Sequence, residues 1–149
     1  MNFKILKMEI KKYNGTPTEA KPGEFIFYIQ SHGNNSGRPL LVPIRNCWVV
    51  RTSRSVDYEI MYIVFESKIL EPFIGGSVIP FLRLSDYKNI IKPILQNAIH
   101  DHRIINEHYL QIRKIEENIK HQDKIKSLLN QMRKAISNEV FKKIKTSVS

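Results

Sequence analysis

The sequence predicts an α+β protein: a small mixed sheet with a packed helix over residues 1–95, then a long C-terminal amphipathic, coiled-coil-like helix over 96–149. Three observations predict it. All six Gly and all seven Pro lie at or before Pro93, so the last 56 residues contain neither helix breaker. Before that point, short β-branched and aromatic runs alternate with turn signals. After it, apolar residues recur at helical spacing.

Residues 3–12 alternate imperfectly through Phe3, Ile5, Met8 and Ile10 and end at the turn signal Asn14-Gly15, which predicts a first strand. Phe25-Ile26-Phe27-Tyr28-Ile29 predicts a second. Residues 32–39 read as a loop, because Gly and Asn tolerate positive φ. Residues 47–51 predict a third strand. Tyr58, Met61, Tyr62, Phe65, Ile69 and Phe73 follow at steps of three, one, three, four and four, which predicts a helix over 58–73 stopped by Gly75-Gly76. Residues 78–84 read as extended, and Ser85-Asp86 as a short turn leading to Ile90, Ile91 and Ile94.

In the C-terminal segment, Ile105, Tyr109, Ile112, Ile115, Ile119, Leu129, Met132, Ile136 and Val140 fall near one helical stripe, with Gln122 and Lys126 as gaps. Glu116 with Lys120, and Glu139 with Lys143, have the i,i+4 spacing of stabilising pairs. About 45 residues make a rod of roughly 65 Å, or a hairpin of two shorter helices. A small body cannot bury so long a stripe, so the expected partner is another helix, in a homodimer or on another subunit.

Twenty-four Lys and Arg stand against fourteen Asp and Glu, a formal charge of +10 and a pI near 9.8. That balance favours polyanionic partners. It is spread along the chain: 13 basic and 8 acidic residues lie in 1–95, 11 and 6 in 96–149. Cys47 is the only cysteine, so an internal disulfide and a cysteine zinc site are excluded and a reducing compartment fits. The first residues lack the apolar run of a signal peptide, and no window approaches about 18 uncharged apolar residues. The expectation is a cytoplasmic protein with no membrane contact.

Catalytic patterns are weak. Asp57, Glu66 and Lys68 loosely match the pattern of metal-dependent nucleases, but that chemistry needs Glu66 and Lys68 on one face of a strand, and helical spacing puts them roughly 200° apart. His100, His102, His108 and His121 do not converge on a helix, and no cysteine completes a metal site. Gly75-Gly76-Ser77 and Gly33 to Gly37 lack the Lys of a phosphate loop. No catalytic residue, metal or cofactor is expected. Arg38, Arg45, Arg51, Arg54, Arg83 and Lys88 are the candidate nucleic-acid contacts, and Arg51-Thr52-Ser53-Arg54-Ser55 is the densest cluster, setting hydroxyl donors beside two guanidiniums.

Residues 46–95 resemble the back half of a target-recognition domain from the specificity subunits of type I restriction-modification systems. There, a strand and a helix ending in S-x-x-F-x-x-x-I-x-G precede an L-S-x-x-D-L-K-N-I-x-I-P stretch and a long coiled-coil helix. Ser67, Ile74 and Gly76, then Leu84, Ser85, Lys88, Asn89, Ile90 and Pro93, occupy corresponding points. The Asn-Ser-Gly-Arg-Pro loop with Gly-Ser-Val-Ile-Pro-Phe-Leu-Arg also resembles small uncharacterised proteins of Bacteroidota and their mobile elements. Specificity subunits carry two recognition domains and two helices, where this chain has one of each. The resemblance therefore implies a DNA-binding module without an active site that dimerises through its helix to read a two-part site. The alternative expectation is a protein–protein adaptor or structural component of a phage or mobile-element assembly, docking through the same helix.

Overall fold

A computed structural model describes residues 7–98 and 102–148; the expected strand positions Phe3 and Ile5, and His100, lie outside them. Strands β1 (Met8–Lys12), β2 (Phe25–Gln30), β3 (Pro39–Leu40) and β4 (Cys47–Thr52) form one sheet in the order β1-β4-β2-β3, antiparallel at every pairing. Period-two alternation decides which face is buried. Ile10 and Phe27 both register against Val50, and Ile29 registers against Trp48, which places these five side chains on one buried face.

Helices α1 (Val56–Glu66) and α2 (Leu84–Asn97) cover that face. Ile60, Met61 and Val64 of α1 meet the sheet, and Tyr87, Ile91 and Leu95 of α2 complete the core. The Tyr87 ring lies 5.3 Å from that of Trp48. Pro93 sits inside α2, where it cannot donate to the carbonyl one turn back.

Three boundaries differ from the sequence reading. The helix expected over 58–73 ends at Glu66, and Glu71–Phe73 forms a single 3₁₀ turn. Continuing the helix would have put Pro72 in its interior, and Lys68 instead takes the left-handed conformation (φ 65°) common just past a helix end. The extended stretch expected over 78–84 is mostly loop, with Phe81 bridging both His32 and Gly75. Gly76 makes this turn possible: its φ is 98°, and a Cβ there would lie 2.2 Å from the Ile79 carbonyl oxygen. Ser85 and Asp86 form the first turn of α2 rather than a separate turn, with Asp86 at the positive end of the helix dipole.

The last element, α3 (His102–Ser147), is one helix of 46 residues, so the hairpin alternative does not occur. The chain divides into two compact units, residues 1–109 and 110–149, fourteen residues beyond the boundary read from the sequence. The reason is that the first two turns of α3 pack on the body. Ile105 lies against the core, the Tyr109 ring stands 6.1 Å from Tyr58 and 5.4 Å from Tyr62, and the Asn106 amide donates to Glu59 Oε1 at 2.9 Å. The second unit is the rest of the helix, and none of its described residues is buried.

Candidate functional site

Five of the six basic residues singled out in the body fall at two ends of the sheet, and the sixth, Lys88, is on α2. Arg51 and Arg54 lie where β4 runs out, and both guanidiniums are already paired. Arg51 projects from the outer face of the sheet and donates to Glu24 Oε2 at 2.8 Å and to the Glu19 carbonyl at 3.3 Å. It thereby ties the 14–24 loop over a shallow cleft of about 300 Å³ lined also by Lys11, Tyr13 and Thr16. The Glu24 carboxyl is held below its ordinary pKa first by the Lys21 backbone N–H and then by Arg51. Arg54 donates to Asp57 Oδ1 at 2.5 Å, and the other oxygen of this fully buried carboxylate accepts the Thr52 hydroxyl. The cluster that looked best suited to phosphate oxygens thus joins the end of β4 to the start of α1.

Arg38, Arg45 and Arg83 gather at the opposite end of β2. There, Ser31 donates its backbone N–H and its hydroxyl to the Asn46 carbonyl (3.0 and 2.6 Å), Leu82 N–H donates to Ser31 O (2.9 Å), and Gly33 N–H to Pro80 O (2.7 Å). Arg45 adjoins Asn46 and Arg83 adjoins Leu82, while the Arg38 carbonyl accepts from Gln30 N–H at 2.9 Å. Backbone hydrogen bonds therefore bring Arg38 and Arg45 to one loop cluster with Arg83, which lies 38 residues beyond Arg45 in sequence. His32 stacks on Phe81 beside them, with ring centroids 6.0 Å apart. Lys88 is exposed on α2, just beyond Arg83. Among the described residues none of these four forms an ion pair.

The nuclease-like pattern has the wrong geometry. Asp57 begins α1 and is committed to Arg54 and Thr52, Glu66 ends that helix, and Lys68 lies past it in the left-handed conformation. Among the described residues, no group of three His, Cys, Asp or Glu could hold a metal ion. Cys47 is buried on β4, and burial pushes its thiol above its ordinary pKa, a backbone hydrogen bond with Ile44 partly opposing. Such a thiol is a structural residue, not a nucleophile. We expect Cys47 to react with a thiol reagent only as fast as the body opens, which stopped-flow labelling in native buffer and in denaturant would measure.

Most of the exposed large apolar side chains lie in the second unit. Ile125, Leu128, Leu129, Met132, Ile136 and Val140 are all between 46% and 59% exposed. At about 100° per residue these six lie within roughly 120° of arc. Ile105, Tyr109, Ile112, Ile115 and Ile119 point to another side of α3, roughly 130° away. The single stripe read from the sequence is therefore two, and the polar run from Lys120 to Lys124 is where the apolar side changes. Ile125 and Leu128 were missed for that reason. The signal for them is the eleven-residue separation of Ile125 from Ile136 and of Leu129 from Val140, which is the period of a nearly straight helix seam. Of the two i,i+4 pairs expected, Glu139 with Lys143 forms at 3.0 Å, whereas Glu116 pairs with Arg113 at 3.0 Å. Among the described residues, no helix is long and apolar enough to cross a membrane.

A family of unknown function, DUF6943, matches residues 10–139, from β1 to the residue before Val140. Body and long helix are parts of the same family segment. No curated protein and no solved structure matches the chain.

Proposed function

We propose that this chain, which belongs to the DUF6943 family, is a non-enzymatic adaptor that docks on another protein through α3. One observation supports this reading above the others: six large apolar side chains between Ile125 and Val140 recur at helical spacing on one side of α3, and none is buried. Burying such a stripe against a facing helix removes apolar surface from water at about 25 cal/mol per Å², and helix-in-groove or coiled-coil contacts are the standard way to do so. In the body, the ion pairs of Arg51 with Glu24 and of Arg54 with Asp57 hold elements together.

The test is site-specific photo-crosslinking in cells that make the protein. A crosslinker at Leu129 or Ile136 should trap a discrete protein partner. At Ser127 or Lys134, on the far side of the helix, it should not. Equal labelling from both sides would refute docking through this face.

A second reading, DNA binding, is favoured by the convergence of Arg38, Arg45 and Arg83 at one loop cluster with Lys88 nearby. It also agrees with the resemblance to a target-recognition domain. Arg51 and Arg54 contribute less to it than their sequence suggests, since Glu24 and Asp57 already offset them. On this reading, replacing Arg38, Arg45 and Arg83 by Ala lowers the slope of log affinity against log salt by up to about three units. A duplex-DNA salt titration with an unchanged slope would remove the cluster from any interface.

A further inference from the structure

We infer that the occupant of the α3 face between Ile125 and Val140 is an acidic amphipathic helix and not a second copy of this chain; this deepens the docking reading above and rests on it. Charge selects this occupant. From Lys120 to Lys145 there are eight Lys and Arg against two acidic residues, Asp123 and Glu139. At about 100° per residue, Lys126 and Arg133 border the apolar stripe on one side and Lys124 and Lys142 on the other. Glu139 falls within the arc of the stripe itself, and its carboxylate already pairs with Lys143 at 3.0 Å.

In a helix pair these borders face the partner's borders, and their charges decide which partner is accepted. Two copies of α3, parallel or antiparallel, set lysine and arginine against lysine and arginine with almost no carboxylate to intervene. An acidic helix meets every border with the opposite sign. The same charges would steer its approach and make the association sensitive to salt.

Other polyanions fit the stripe less well. Duplex DNA would satisfy the basic borders but leave the six apolar side chains in water. An anionic membrane would accept apolar and basic groups together, yet the stripe contains no aromatic anchor, and its eleven-residue spacing suits interdigitation with a facing helix.

The test uses the full chain and two labelled synthetic helices of about 28 residues, long enough to be helical in isolation. Both carry Ile and Leu at the same eleven-residue spacing; one has Glu at the bordering positions, the other Lys. Fluorescence anisotropy should show the Glu-bordered helix binding at least about tenfold more tightly at low salt, an advantage that shrinks as salt rises. Light scattering should show the chain alone as a monomer. Equal or tighter binding of the Lys-bordered helix would overturn the inference, as would a dimer of the chain alone that the triple variant L129Q/M132Q/I136Q dissolves. Stronger capture by phosphatidylglycerol vesicles than by the Glu-bordered helix would also overturn it. If the triple variant matches the parent chain in every one of these assays, the docking reading itself falls; if only the preference for Glu is missing, that reading stands and the acidic partner is withdrawn.

Discussion

Asp57→Ala should destabilise the body by about 3 kcal/mol or more, the largest effect expected of any single polar substitution in this chain. The carboxylate is fully buried, takes the Thr52 hydroxyl and the Arg54 guanidinium, and sits in the first turn of α1, where the helix dipole favours negative charge. Removing it strands a guanidinium whose side chain is only 18% exposed and a buried hydroxyl. Part of the loss comes from that stranding rather than from the bond itself. Urea denaturation followed by near-ultraviolet circular dichroism measures it. A loss below about 1 kcal/mol would mean that Arg54 simply turns to solvent and that the join between β4 and α1 is held by packing alone.

The second large effect is on association rather than stability. Replacing Leu129, Met132 and Ile136 by Gln should abolish docking through α3, a loss of more than about a hundredfold in affinity, because each removes a large apolar side chain from the centre of the contact. The same variant should leave the denaturation midpoint of residues 1–109 unchanged, because all three side chains lie in the other unit and are exposed. A shifted midpoint together with retained binding would reverse both assignments.

These two regions differ in how far the sequence discloses them. Strands β2 and β4 are legible because their β-branched and aromatic runs are long enough to show a pattern, and α3 because no Gly or Pro interrupts it. Strand β3 is not, since two residues have no period and Pro39-Leu40 is recruited by the β2 edge. The early end of α1 was legible in principle from Pro72. The role of Arg54 was legible too, because Asp57 follows at i+3. Arg51 was not: Glu24 reaches it only because Phe25 registers against Thr52 across the sheet. Convergence of Arg38, Arg45 and Arg83 likewise depends on hydrogen bonds between loops that no local pattern encodes. On α3, all the apolar residues were visible, but grouping them into one stripe ignored the change of side between Ile119 and Ile125.

What the docking account requires above all is that nothing in the chain itself covers the stripe. Hydrogen–deuterium exchange of the monomeric protein, read residue by residue, tests this most directly. A helix without buried contacts opens easily, so amides of residues 112–147 should exchange orders of magnitude faster than those of β2 and β4. Addition of the Glu-bordered helix should then slow exchange between Ile125 and Val140. Protection of that segment equal to the sheet's, in a protein shown to be monomeric and without any partner, would mean that the stripe is already covered and would contradict the account.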